Sequence, residues 1–514
     1  MTTLKTAPLR EPALRSRLGN VLTLALLSLA ACPGIANAQG QAIDWPSYGG
    51  DAQRTGWEKS DSRITKENIK DFQLVLKRKL DNGRTGPYAL TPPVMIGRLI
   101  SYRGFKELAF VTGSSGKVWS IDVDMDRIFW QKQLDAAAGP KTADSACSDR
   151  ATAVPALTPP LNFARRRTGR PAATPAAPPT AGTQTIFAGR HPLFVLAGDG
   201  KLHQLNTSDG SDQFPALNFL PPEAKASSLL VHDGVLYTTT IAGCGGAPGG
   251  VWALDLNDAA PKPVSYVPKS GTMSGLGGFA MGADGTIYVQ TGADQSGTLL
   301  ALNAKDLKLK QSFVGQGSGS VTPVVFTWKD REMVISAGKN GRLYLLDAQS
   351  LGGDDHKTAL FETAPISEAG VWGGLSSWED AEGIRWVLAS VWGPTHSELK
   401  AFLTNGPAPT GSVVAFKVED HDGKPVLTPA WVSRDMQSPE PPVITSGVAF
   451  ALAAGASTHA TLYALDATTG KEMYSTGTQV TAPASLTGLT VANGRVYFTT
   501  TDNTLYAFGV YLER

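Results

Sequence analysis

One short pattern recurs along this chain. Its clearest copy is Met333-Val-Ile-Ser-Ala-Gly-Lys-Asn-Gly-Arg-Leu-Tyr-Leu-Leu-Asp347. It reads as an apolar run, a turn through Lys339-Asn340-Gly341, and a second run ending in Leu-Asp. Asn-Gly between two apolar runs predicts a hairpin, because both turn residues reach positive φ at little cost. Residues 110–122 and 194–206 repeat the pattern. Its closing run returns at 251–255, 299–303, 413–416, 462–466 and 505–508. Where neighbouring copies are clean they lie roughly 42 to 49 residues apart, the period of a four-stranded propeller blade. The predicted fold is therefore all-β: a single propeller of about eight blades.

Length alone would suggest about three domains for 514 residues, but the repeat uses nearly the whole chain. With 55 Gly and 34 Pro, turns are plentiful, which suits short strands. A net charge of +1 with mixed signs leaves no basic footprint for nucleic acid. Three cysteines are too few for a disulfide scaffold, and no Cys-x-x-Cys-His haem attachment site occurs.

The first residues predict export. Lys5, Arg10, Arg15 and Arg17 precede an apolar run at 21–31, Pro33 and Gly34 break it, and Ala36-Asn-Ala38 offers small residues for cleavage. Residues 1–38 are then a signal peptide and 39–514 the propeller. A second reading stays open: Leu29-Ala-Ala-Cys32 fits the bacterial lipoprotein pattern, with Cys32 lipidated. Either places the body in the periplasm or outside the cell, where disulfides persist. No other segment is long and apolar enough to span a membrane by helix.

The last repeat, 496–508, lacks an outer strand. Residues 72–80 alternate apolar and basic side chains, as a half-exposed strand does, and are expected to supply it and close the ring. The interval from Asp122 to Asn206 is about twice the repeat. Its excess, residues 160–186, holds Arg165-Arg-Arg167 and a Pro/Ala tract, which reads as a surface loop.

Thr461-Leu-Tyr-Ala-Leu-Asp-Ala-Thr-Thr-Gly-Lys471 resembles the pyrroloquinoline-quinone (PQQ) propeller repeat, and Trp45-Pro-Ser-Tyr-Gly-Gly-Asp51 with Arg54 resembles the opening of quinoprotein alcohol dehydrogenases. The resemblance implies a PQQ-like propeller over roughly residues 44–510. It also implies a test for activity, because members that oxidise alcohols hold PQQ with Ca²⁺ or a lanthanide. Such an ion needs oxygen ligands from Glu, Asn and often Asp, with a further Asp as base. The stretch matching the family's Glu, 243–255, contains no Glu. Thr291-Gly-Ala-Asp294 has Ala293 in place of the Asn, leaving Asp294 as a candidate ligand. The stretch matching the base, 315–323, has no carboxylate, and no two cysteines are adjacent. Lys339 matches the family's quinone-contacting cation.

Trp372 and Trp392 could floor a ligand pocket or simply pack between blades, and with Lys339 and Asp294 they form the candidate cofactor site. Cys147 and Cys244 are candidates for a disulfide tying two loops across one ring face. The seven histidines are scattered without metal spacing. Two functions follow. The first is a non-catalytic binding or scaffolding module with a degenerate quinoprotein site, its partner an envelope protein or a small-molecule ligand. The alternative is a divergent PQQ-dependent dehydrogenase acting on an alcohol or sugar.

Overall fold

The computed structural model describes residues 42–101, 104–134, 147, 150–151, 155–158, 192–269, 273, 275–291, 298–315, 320–338 and 340–510. The expected signal peptide, Cys32, the 160–186 tract, Asp294 and Lys339 lie outside them. Among the described residues no helix is long and apolar enough to cross a membrane.

The chain is an all-β propeller. Among the described residues its strands form eight sheets, most of them four-stranded antiparallel meanders that follow the chain from an inner strand to an outer one. The first sheet begins at Val94–Ser101, the second at Pro155–Leu157, the third at Ala226–His232 and the fourth at Phe279–Met281. The fifth begins at Val324–Trp328, the sixth at Val371–Glu379, the seventh at Val443–Thr445 and the eighth at Thr490–Ala492. Pro-rich joins precede the first and seventh of these inner strands, at Pro92-Pro93 and Pro439 to Pro442, whereas Pro155 is itself the first residue of the second. The eighth sheet has two origins. Phe72–Lys79 pairs antiparallel with Thr504–Val510, from Phe72 opposite Val510 to Lys79 opposite Thr504.

The repeated residues bind one sheet to the next. Asp466 turns the chain by accepting the backbone N–H groups of Thr468 and Thr469 at 2.9 and 3.1 Å. The turn ends at Gly470, where φ is +70° and a Cβ would lie 2.4 Å from the Trp431 ring. Trp431, on the outer strand of the sixth sheet, donates its indole N–H to the carbonyl of Ala467 in this turn of the seventh. The first and second sheets repeat the device: Trp130 donates to Thr207 O, and Gly210 leaves room for its ring. Glycine is needed at these two positions both for the positive φ and for the indole above it. Tyr344 of the hairpin repeat packs on Phe313 of the preceding sheet at 5.2 Å between ring centroids.

The segment ahead of the first sheet makes the most extended set of contacts in the molecule. Ile43 N–H donates to Asn493 Oδ1 beside the eighth sheet. Its neighbours then accept amides from the inner strands of other sheets in chain order. Met95 donates to Trp45 O, Leu157 to Pro46 O, Met281 to Ala52 O, Val325 to Gln53 O, Ser377 to Thr55 O and Ile444 to Gly56 O, all between 2.7 and 3.0 Å. The third sheet is reached by a side chain, Arg54 Nη2 to Ser228 Oγ at 3.2 Å. Asp61 returns to the eighth sheet by accepting Gly494 N–H at 2.6 Å. Inner strands otherwise present unpaired N–H groups to a central channel; here residues 43–61 satisfy them.

Arg54 pins this segment. It is 2% exposed, has φ of +61°, and donates to Phe279 O, Ser47 Oγ and Tyr48 O as well as to Ser228. Burial pulls its guanidinium down to about 10, and Asp51 opposes that shift. Replacing Arg54 by alanine strands four acceptors and removes one of the cations, with Lys59, that favour the Asp51 carboxylate. Arg54→Ala should cost about 3–5 kcal/mol of stability, read as a lowered urea midpoint.

Candidate binding site

Where the inner strands begin, their first residues enclose a central cavity of about 310 Å³. The first sheet contributes Leu90 to Pro92 and Val94, the third Ala226 to Ser228, the fourth Met273, Gly275 and Leu276, the sixth Trp372 and Gly373, and the eighth Leu486 and Thr487. Tyr88 and Arg150 stand together on the wall, the guanidinium 3.7 Å from the tyrosine ring centroid.

Tyr48, carried in by the N-terminal segment, also faces the cavity. Three glycines make room for it. A Cβ on Gly277 would lie 2.5 Å from its ring, one on Gly488 3.0 Å away, and one on Gly374 3.1 Å from the hydroxyl. Burial, and then the nearby Glu440, push the Tyr48 hydroxyl well above the usual phenol range.

Glu440 is fully buried behind this wall. Oε1 accepts the Trp372 indole N–H at 3.0 Å, while Oε2 makes no close hydrogen bond among the described residues. Burial drives the carboxyl up to about 8, against the pull of the Trp372 and Gly488 N–H groups. Trp372 is thus fixed on both sides: its N–H by Glu440 and its ring by Trp392, stacked 4.2 Å away. Trp392 in turn donates to Pro439 O.

Of the residues singled out in the sequence, Trp372 lines the cavity and Trp392 backs it. Cys147 and Cys244 are bonded, Sγ to Sγ 2.07 Å. Asp294 and Lys339 lie outside the described residues; beside Lys339, Gly341 N–H donates to Gly338 O at 3.1 Å. Sequence reading missed Tyr48, Glu440 and Arg150. The one available signal was an acid inside a proline-rich join, Pro439-Glu440-Pro441-Pro442.

The described wall does not fit a hard metal ion. Its oxygen donors are hydroxyls and carbonyls, with no carboxylate or carboxamide among the described lining residues. Among the described residues no group of three or more His, Cys, Asp or Glu could hold a metal ion. The guanidinium groups near the cavity are also of the wrong sign. Arg150 lines it, and Arg54 lies beneath it, bonded to the lining residue Ser228. A divalent cation there would be repelled by both.

Glu440 makes stability depend on pH. Its carboxyl ionises near 4.5 unfolded but near 8 folded, so the folded state holds the proton through that window. Stability is full below pH 4.5 and falls by on the order of 3–5 kcal/mol as pH rises through 8. Glu440→Gln keeps the acceptor for Trp372 and removes the titration. The variant should show a flatter urea midpoint between pH 5 and 8.5 and exceed the parent at the upper end.

Comparison with known proteins fits this architecture. Residues 410–510 match the family described as outer membrane protein assembly factor BamB. No curated protein matches the chain in sequence. Among solved structures, it is similar to the quinohemoprotein alcohol dehydrogenase from Comamonas testosteroni, with a TM-score of 0.54 and 14% identity over 93% of this chain and 82% of that one. A second quinohemoprotein alcohol dehydrogenase, from Pseudomonas putida HK5, gives 0.52 and 12% identity, covering 91% and 80%. A europium-containing methanol dehydrogenase gives 0.51 and 14%, covering 91% and 89%. At such identities the likeness is one of fold. By that fold the chain is a β-propeller similar to those of the quinohemoprotein alcohol dehydrogenases, and the family match covers residues 410–510 of it.

Proposed function

We propose that this protein is an exported, non-catalytic binding module: a propeller of about eight blades, closed by residues 72–79 on the last sheet, with a degenerate quinoprotein site. The observation that carries the reading is the central cavity, whose described lining has an aromatic wall at Trp372 and the cation Arg150 but no carboxylate or carboxamide. With no carboxylate among the described lining residues, Ca²⁺ or a lanthanide lacks the ligands it needs there, and without the ion a quinone is not polarised for hydride acceptance. The partner is then a small-molecule ligand of the cavity or another envelope protein.

Export to the periplasm or beyond is supported by the Cys147–Cys244 bond, which suits an oxidising compartment. Release after Ala38 and anchoring through Cys32 both agree with it. A divergent PQQ-dependent dehydrogenase is the second reading. Trp372 favours it, since an indole held on the cavity wall is a surface on which a planar cofactor can stack.

Adding PQQ with Ca²⁺ or a lanthanide to the purified protein separates the two readings. The expected result is no dye reduction with alcohols or sugars. Stoichiometric quinone absorbance together with turnover would establish the dehydrogenase instead.

A further inference from the structure

Lys225 is a buried cation that the fold does not use. It immediately precedes the lining residue Ala226 and is only 4% exposed; its carbonyl accepts the Ile241 N–H, yet its ammonium makes no hydrogen bond or ion pair among the described residues. Burial lowers its ammonium to about 8. Glu223 opposes the shift, while Arg84 and Arg150 add to it, and of these Arg150 lines the cavity. Folding alone gives no reason to bury the Lys225 ammonium without a bonded partner near the Arg150 guanidinium, because its desolvation is costly and the two charges repel.

The bridge brings Lys225 and Arg150 together. Arg150 lies three residues past Cys147 and donates its N–H to Cys147 O at 3.4 Å. Cys244 sits in the turn Cys244–Gly246, which packs on the chain just before Lys225. A Cβ on Gly245 would lie 2.2 Å from Pro222 O. On the other side, Ala151 N–H donates to Tyr88 O at 2.9 Å, which seats Arg150 over the Tyr88 ring. The disulfide, with a sequence separation of 97, therefore joins the loop carrying Arg150 to the turn supporting Lys225.

We propose that Arg150 and Lys225 form an anion site beside the central cavity, assembled by the Cys147–Cys244 bridge. The site takes the carboxylate of a small organic molecule whose apolar part lies against Trp372, Leu276 and Met273. A planar guanidinium and a neighbouring ammonium together match a carboxylate's two oxygens, and a desolvated site strengthens both bonds. This inference rests on the cavity being a binding site, as proposed above, and specifies the charge of what enters it.

The test uses the oxidised full-length protein with phthalate, its neutral dimethyl ester and inorganic phosphate as probes. Binding is followed by quenching of tryptophan fluorescence and by calorimetry. Phthalate should bind, the ester should not, and phosphate should compete only weakly because it lacks an apolar part. Lys225→Met and Arg150→Gln should each weaken phthalate at least about thirtyfold. Lys225→Met should also unfold at higher urea than the parent, since it removes an unpaired buried charge. The Cys147→Ser, Cys244→Ser double variant should keep its circular dichroism spectrum and lose phthalate binding.

Equal binding of phthalate and its ester overturns the anion site while leaving a binding cavity in place. No binding of either probe, or a Lys225→Met variant less stable than the parent, overturns it too. Full affinity in the double serine variant overturns the role of the bridge. Turnover with PQQ and a metal ion would instead overturn the non-catalytic reading, so the two failures are distinguishable.

Discussion

Six backbone hydrogen bonds hold the centre of this molecule. They run from the inner amides of six sheets to the carbonyls of Trp45, Pro46, Ala52, Gln53, Thr55 and Gly56. A propeller sheet is covered on both faces by its neighbours, and its outer edge can face water. Its inner edge faces a narrow channel, where an unpaired N–H is costly. The segment 43–61 meets that requirement for sheet after sheet, and Arg54 and Asn493 complete the circuit through side chains. Phe72–Lys79 then pairs at the outer edge of the eighth sheet, so one stretch of chain serves both the centre and the rim.

The candidate site depends on the same segment. Tyr48 reaches the cavity only because residues 45–57 cross the centre, and Gly277, Gly374 and Gly488 leave space for its ring. Arg54 lies beneath, bonded to Ser228 of the wall. The segment thus sets the electrostatics of the cavity from below while the bridged loops set it from the side. A wall of hydroxyls, aromatics and guanidinium groups suits an organic ligand and is unsuited to a hard cation.

The strands were legible in the sequence because each copy of the repeat carries its own local signals. Asp466 and Gly470 mark a turn, and the alternating run before them marks a strand. Phe72–Lys79 was legible as the missing outer strand because its alternation had no other use. The docking of Trp431 on Gly470 could not be read, since the two residues are 39 positions apart and belong to different sheets. The circuit of residues 43–61 was hidden for a related reason. Its bonds are made by backbone carbonyls, which every residue has, so no side-chain pattern announces them. The cavity was partly legible: Trp372 stood out as one of a cluster of aromatics. Glu440, Arg150 and Lys225 look like ordinary surface charges in the sequence, and only the packing of sheets around them makes them unusual.

Amide hydrogen exchange at the centre tests the account most directly. If the segment 43–61 holds the inner edges, the amides of Met95, Leu157, Met281, Val325, Ser377 and Ile444 should be protected to the level of global unfolding. Exchange of these six amides at the rate of exposed loops, while the amides of the middle strands stay protected, would contradict it.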